Sequence, residues 1–262
     1  SLYKELKGEG VYHLSTSMYP VHRKRVLDEI RKRLQKNEKC IVVSTSLVEA
    51  GVDLDFQSVY RELAGVDSMI QAAGRCNREG RRKAESSKVF IFRFEEKENV
   101  LGQRQQIDVA KSLLADDREL VDMETVTKYF EMLYHIKGDS LDKKNILGEF
   151  TNKKAEYNFA KVGKEFKLIE QNTKTVFIKC EDVAKEILLE LKGRGFTRTG
   201  MRKASRYCIT VYDQTFEKMY GAGMIQPVSE DIEDFYELVD ESRYTEEMGL
   251  ELEMDMGMAL FA

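Results

Sequence analysis

The chain has 262 residues, 42% of them hydrophobic and 34% charged, enough apolar material for one large core or two modest ones. No apolar run approaches the ~18 residues that span a bilayer, and Ser1-Leu2-Tyr3-Lys4-Glu5-Leu6-Lys7 lacks the basic-then-apolar layout of a signal peptide, which argues against export and a helical membrane anchor and for a cytoplasmic protein. The net charge of −4 is unevenly placed: residues 229–262 hold twelve Asp or Glu against Arg243 alone, which is −11, and residues 1–228 therefore carry +7, a basic body that suits a polyanionic partner.

In chain order, Val11–Leu14, Cys40–Thr45, Val59–Leu63 and Val89–Phe94 are short apolar runs that predict buried strands. Between the first two, Val26, Ile30 and Leu34 recur every four residues in a helix that Pro20 can open. Strand and helix thus alternate over residues 1–100, the pattern of an α/β, doubly wound parallel sheet, with ligands expected outside the carboxyl ends of its strands. Residues 101–150 read as a helical connector carrying Val109, Leu113 and Leu114, then Val126, Phe130, Leu133 and Tyr134. Residues 151–228 read as a smaller mixed α+β domain: a hairpin of Phe166–Glu170 with Thr175–Lys179, a helix from Asp182 with Val183, Ile187 and Leu191, and a strand Cys208–Tyr212. In the acidic tail, 229–262, Ile232, Phe235, Tyr236 and Val239 fall on one helical face, so a short docking helix is expected with residues 243–262 frayed. A tail that mimics nucleic acid and guards the basic surface is the sharper alternative.

Cys40, Cys76, Cys180 and Cys208 stand singly, and His13, His22 and His135 do not cluster with them; reduced thiols and no metal site are expected. The strongest local signal is Gln71-Ala72-Ala73-Gly74-Arg75-Cys76-Asn77-Arg78-Glu79-Gly80. On a continuous helix, Gln71, Arg75 and Arg78 would project from one face, and paired guanidinium groups suit the charge that develops on a transferring phosphoryl group. Before it, Ser44-Thr45-Ser46-Leu47-Val48-Glu49-Ala50-Gly51-Val52-Asp53-Leu54-Asp55 follows an apolar strand, where small hydroxyl residues let a phosphate backbone approach. A third candidate is Lys192–Tyr207, with six Lys or Arg, no acid, and Phe196 and Tyr207 interleaved. Arg198, Arg202, Lys203 and Arg206 there could contact phosphates while the aromatic rings stack on bases; a solvated loop is the plain reading.

The second and first of these segments resemble motifs V and VI, respectively, of the second RecA-like lobe of superfamily 2 helicases. More narrowly, Gln-x-x-Gly-Arg-x-Asn-Arg-x-Gly, preceded by Glu-Ala-Gly-Val-Asp and Val59-Tyr60-Arg61-Glu62-Leu63, resembles the CRISPR-associated helicase of type I systems, a family whose full-length members usually carry an HD nuclease. Asn77 separates it from the Gly-Arg-x-Gly-Arg of ordinary RNA helicases. Leu14-Ser15-Thr16-Ser17-Met18-Tyr19-Pro20-Val21-His22-Arg23 is similar to motif IV, with Ser-Thr-Ser-Met where many members have His-Ser-Arg-Phe. Ser46 for a commoner Gln and Gly65 for a commoner Pro resemble the subgroup of the compact I-C systems.

The resemblance implies that Arg75 and Arg78 are arginine fingers, with Gln71 positioning the γ-phosphate and water, that Gly51 and Asp53 border the nucleotide, and that Ser15, Thr16, Arg23, Thr45 and Ser46 face single-stranded DNA. It implies ATP and Mg²⁺ as cofactors, bound mainly by an upstream lobe, and the upstream RecA-like lobe, the HD nuclease and the CRISPR surveillance complex as partners. The sequence holds no Gly-x-x-x-x-Gly-Lys-Ser/Thr loop, no Asp-Glu-x-His/Asp box and no His-Asp dipeptide. Beginning at Ser1 directly in domain-like sequence, it reads as the C-terminal half of a motor, inactive as an ATPase alone. The alternatives are the second lobe of a general superfamily 2 RNA or DNA-repair helicase, and a non-catalytic nucleic-acid interaction module.

Overall fold

The computed structural model describes residues 2–49, 51–94, 103–115, 120–150, 158–166, 173–230, 232 and 234–251. The chain divides into two compact units, one of Ser1–Leu47 with Gln171–Ala262 and one of Val48–Glu170. The division falls between Leu47 and Val48, inside the segment that resembles motif V.

The first unit opens with α1 (Leu2–Leu6), β1 (Val11–Leu14), α2 (Pro20–Gln35) and β2 (Ile41–Ser44). Pro20 sits at the first position of α2, where its fixed φ suits a helix and its missing N–H costs nothing. β1 and β2 pair in parallel, Leu14 opposite Ser44, so the segments after both strands emerge at the same end.

The second unit contains β3 (Ser58–Glu62), α3 (Val66–Ala73), β4 (Lys88–Phe92), α4 (Arg104–Ala115), α5 (Met123–Lys137), α6 (Ile146–Phe150) and α7 (Phe159–Glu165). β3 and β4 are again parallel. The α/β class with parallel strands is as expected, but the four N-terminal strands pair two by two, and β3 and β4, expected to be buried, leave Tyr60, Val89, Phe90 and Ile91 exposed. The described residues among 103–115 and 120–150 are mostly helical as predicted, and Ile107, Ala110, Leu113, Tyr129 and Leu133 pack with Leu63, Val66 and Met69 in one core. Tyr134 is exposed and Tyr129 is buried in its place.

The chain then returns to the first unit with β5 (Thr173–Phe177), α8 (Asp182–Arg194), α9 (Arg198–Ala204), β6 (Cys208–Tyr212), α10 (Asp213–Gly221), β7 (Ile225–Pro227), β8 (Phe235–Leu238), β9 (Tyr244–Thr245) and β10 (Gly249–Leu250). A four-stranded sheet runs β6-β5-β8-β7, with β5 antiparallel to β6 and parallel to β8. Of the predicted hairpin partner of β5, Phe166–Glu170, Phe166 caps α7 and residues 167–170 lie outside the described residues; β5 lies between β6 and β8. α8 begins at Asp182 as expected, but buries Ala184, Leu188 and Leu191 and leaves Val183 exposed.

The acidic tail requires a correction: Phe235–Leu238 is a strand, not a helix. Phe235 and Leu238 are buried, and the i, i+3, i+4 apolar spacing is equally served by a strand that is covered on both faces, a case periodicity cannot separate. Glu237, 2% exposed, stays charged within it because Lys192 Nζ at 2.8 Å, Lys179 Nζ at 2.9 Å and Gln226 Nε2 at 3.0 Å all donate to its carboxylate. Nor is the tail frayed from residue 243, since Tyr244 and Leu250 are buried in the unit's core; residues 252–262 lie outside the described residues. Among the described residues no helix is long and apolar enough to cross a membrane.

Candidate functional site

In the second unit, α3 carries Gln71 on its exposed side and stops at Ala73, with Gly74 as its C-cap. Gly is a poor helix residue by about 1 kcal/mol, and the chain leaves the helix there. The expected continuous helical comb of Gln71, Arg75 and Arg78 is thus not formed: both arginines lie in the turn that follows. That turn is fixed by a bridge between Cys76 and Phe56, in which the Phe56 amide donates to the Arg75 carbonyl at 2.9 Å and the Asn77 amide donates to the Phe56 carbonyl at 2.8 Å.

Asn77 holds a left-handed backbone at φ 47°, a conformation that Asn tolerates better than most residues. Its side chain brackets the loop, Nδ2 donating to the Arg82 carbonyl at 2.8 Å and Oδ1 accepting from the Arg82 amide at 2.9 Å. Arg82 in turn donates to Asp55 at 2.7 Å. This gives a local reason for asparagine at the position that marks the family resemblance.

Arg75 is 8% exposed. Its Nε donates to the Val48 carbonyl at 2.8 Å and its Nη2 to the Glu49 carbonyl at 2.7 Å, so a motif VI guanidinium carries the start of the motif V segment. Burial, then the nearby Arg78 charge, depress its pKa, and its Nη1 is buried with no hydrogen-bond partner among the described residues. Arg78 is more open, its side chain 44% exposed, and pairs with Asp53 at 2.8 Å. Gly51, at φ +73° with open space where a side chain would stand, is exposed between Glu49 and Asp53 in sequence.

Three residues not anticipated as site residues complete the support. The Glu49 carboxylate accepts from Ser68 Oγ at 2.9 Å and pairs with Arg61 at 3.1 Å, while Arg61 also donates to Ser68 at 2.9 Å. Motif V is thereby tied through its backbone to motif VI and through its side chain to β3 and α3. The signal was present in the Glu-Ala-Gly-Val-Asp and Val-Tyr-Arg-Glu-Leu segments, where an acid and an arginine stand without obvious partners.

In the first unit, Ser15 and Thr16 follow β1, and Thr45 and Ser46 follow β2. The parallel register brings these hydroxyl residues to one end of the strand pair, where the Thr45 amide donates to the Leu14 carbonyl at 3.3 Å. Thr16, Thr45 and Ser46 are exposed. Ser15 is buried and its Oγ accepts from the Ser17 amide at 3.3 Å, so it shapes the loop. Arg23, on the first turn of α2, is half-buried, and burial lowers its pKa.

Also in this unit, Arg198, Arg202, Lys203 and Arg206 are all exposed on α9 and the 3₁₀ turn after it. Lys203 pairs with Glu190 at 3.4 Å. The three arginines recur every four residues and have no acidic partner among the described residues, whereas Lys174, Lys179, Lys185, Lys192 and Arg194 all have one. The interleaved rings do not stack outward as expected: Tyr207 is buried and Phe196 packs against the core. What remains is a set of exposed guanidinium groups with Phe196 and Tyr207 turned away from them into the core.

Residues 1–81 match the family model described as the C-terminal region of the CRISPR-associated nuclease/helicase Cas3. The chain is 46% identical over 63 residues to Cas3 of Haloferax volcanii, a match covering 24% of this chain and 7% of that protein. To Cas3 of Methanothermobacter thermautotrophicus it is 35% identical over 78 residues, 29% of this chain and 9% of the other. Among solved structures, T. fusca Cas3 with AMPPNP superposes with a TM-score of 0.57 at 15% identity, covering 90% of this chain and 34% of that one. The ATP and ADP forms of the same protein align with a TM-score of 0.52 each over 90% of this chain, at 16% and 17% identity, both covering 33% of those chains. A chain of a CRISPR RNA-guided surveillance complex in its pre-nicking state aligns over 88% of this chain and 34% of that one at a TM-score of 0.50 and 15% identity. The chain thus spans about a third of the solved structures it matches. The motif resemblance is supported from the sequence and from the fold: the chain is similar to the C-terminal part of the Cas3 helicase.

Proposed function

We propose that the chain supplies the second RecA-like lobe and C-terminal domain of an ATP-dependent single-stranded DNA helicase of CRISPR interference. One observation carries this reading furthest: Arg75 binds the Val48 and Glu49 carbonyls while Arg78 meets Asp53, so motifs V and VI form one held element. Phosphate recognition by such an element needs an arginine with open donors, and the exposed Arg78 fits, with the exposed Gln71 of α3 as a further polar group. Arg75 acts chiefly as a positioning residue, its remaining donor Nη1 being buried. Gly51 leaves room for phosphate at the turn.

In this reading a nucleotide held mainly by an upstream lobe draws Arg78 from Asp53 onto the developing γ-phosphate charge, an effect that arginine fingers supply at ~10³–10⁵ in rate in other phosphoryl-transfer systems. Among the described residues no three His, Cys, Asp or Glu side chains stand together to hold a metal; in this reading Mg²⁺ would be held mainly by the upstream lobe. Thr16, Thr45, Ser46 and Arg23 form the strand contact at the end of β1 and β2, and the α9 arginines a second phosphate contact. An upstream lobe, an HD nuclease and a surveillance complex are the proposed partners, in the cytoplasm.

The test is ATP hydrolysis by the protein at its full natural length, with Mg²⁺, with and without single-stranded DNA or RNA, beside Arg78→Ala. DNA-stimulated turnover that collapses in the folded variant is the expected result. Preference for RNA would instead favour a general superfamily 2 helicase. Absence of stimulated turnover, or an unaffected variant, would favour an interaction module.

A further inference from the structure

The segment joining β9 to β10 meets, in the first unit, the loop after β1, more than 220 residues earlier in the chain. The Leu250 amide donates to the Ser17 carbonyl at 2.9 Å. Gly249 stands at φ +76°, and a Cβ there would lie 2.4 Å from the same carbonyl oxygen, so no side chain fits this approach. Tyr244 stacks on the fully buried Tyr19, centroids 5.0 Å apart and rings 19° from parallel, and the Tyr19 amide donates to the Tyr244 hydroxyl at 3.4 Å.

His22, 1% exposed, closes the contact. Its Nδ1 lies 2.6 Å from the Tyr244 hydroxyl and its Nε2 3.0 Å from the Glu246 carbonyl. A carbonyl can only accept, so Nε2 carries the proton and Nδ1 accepts from the hydroxyl. Arg25 donates to Glu181 at 2.6 Å and to Glu246 at 3.3 Å, and the Tyr19 hydroxyl also donates to Glu181. Lys7 pairs with Glu247 at 2.8 Å. Glu246 and Glu247 thus pair with Arg25 and Lys7 of the basic body.

Ser17 lies between the strand-facing Thr16 and the helix-opening Tyr19-Pro20, so what fixes Ser17 and Tyr19 also fixes Thr16 and the first turn bearing Arg23. We infer that Tyr244–Leu250 is a clasp that sets the geometry of the motif IV loop, with Tyr244 and Gly249 as positioning residues for single-strand binding. This rests on the assignment of Thr16 and Arg23 to the strand contact.

The test is a titration of the chain with fluorescent single-stranded DNA, reading affinity and active fraction separately, for wild type, Tyr244→Phe, Gly249→Ala and Arg23→Ala, together with amide exchange over residues 15–19. Loss of the two buried hydrogen bonds of the Tyr244 hydroxyl, from the Tyr19 amide and to His22, predicts a weakening of about fivefold or more in Tyr244→Phe at unchanged active fraction, with faster exchange at Met18 and Tyr19. A folding defect alone would lower the active fraction and leave the affinity of the rest unchanged, and that outcome overturns the inference. Weakened binding in Arg23→Ala with unchanged binding in both clasp variants overturns it while the motif IV assignment stands. Unchanged affinity in all three variants overturns both, and unchanged exchange refutes the clasp whatever the affinities.

Discussion

Arg75 and Arg78 differ by three positions and a motif reading treats them as a pair, yet their surroundings predict costs to stability of very different size. Replacing Arg75 by Ala removes two charge-assisted hydrogen bonds, each worth about 1.5–3 kcal/mol net. The Val48 and Glu49 carbonyls are only half-buried, so water can recover part of the loss, and burial of the guanidinium already opposes its charge; the remaining cost is about 2–4 kcal/mol. Arg78→Ala breaks an ion pair whose side chains are 44% and 83% exposed, worth about 0.2–1 kcal/mol at most. Urea unfolding followed by far-UV circular dichroism separates the two, the chain having no Trp for fluorescence. Arg75→Lys refines the result, because lysine keeps the charge but not the planar fork, and it is expected to recover less than half of the stability. Equal costs for Arg75→Ala and Arg78→Ala, or full recovery by lysine, would refute the idea that the guanidinium fork holds the motif V loop.

Two further outcomes follow from charges placed elsewhere. Burial pushes the Glu237 carboxyl up, but hydrogen bonds from Lys192, Lys179 and Gln226 outweigh it and hold the group below its ordinary value of 4.5. The stabilisation is therefore complete above pH 4.5 and lost as pH falls through the folded value. Glu237→Gln is expected to cost about 1–3 kcal/mol at neutral pH and to flatten the acid limb of a stability–pH curve, whereas an acid limb parallel to wild type would count against the assignment. At α9, Arg202→Ala with Arg206→Ala should reduce the salt slope of single-strand binding by ~1.4, two phosphates at ~0.7 each, and by the same amount on an abasic strand, since Phe196 and Tyr207 are turned into the core; a loss confined to strands with bases would show that stacking occurs there after all.

The legible parts of this chain are those where one signal dominates locally. Pro20 followed by Val26, Ile30 and Leu34 allowed only a helix, and the four N-terminal apolar runs lie within one or two residues of the observed strands. Motif spacing located Gly51, Asp53, Arg75 and Arg78 in one unit, but spacing carries no burial, and nothing in Arg-Cys-Asn-Arg says that the first arginine turns inward while the second stays in solvent. Gly65 shows the same limit from the other side. As a substitution for proline it was a mark of subgroup, whereas in the fold a Cβ there would meet the Tyr129 hydroxyl at 2.4 Å, and that hydroxyl donates to Asp67 at 2.9 Å. Its cause lies 64 residues away in α5, in a stretch that composition described only as helical. β8 was misread for a related reason: four acidic neighbours around Phe235, Tyr236 and Leu238 signal a solvated surface unless the lysines that neutralise Glu237 are known to face it, and those come from the ends of β5 and α8. Pairing of this kind is a property of the assembled sheet. For the same reason the sequence could show that Tyr244 and Gly249 were present, while only the close approach of Ser17 explains why they are a tyrosine and a glycine.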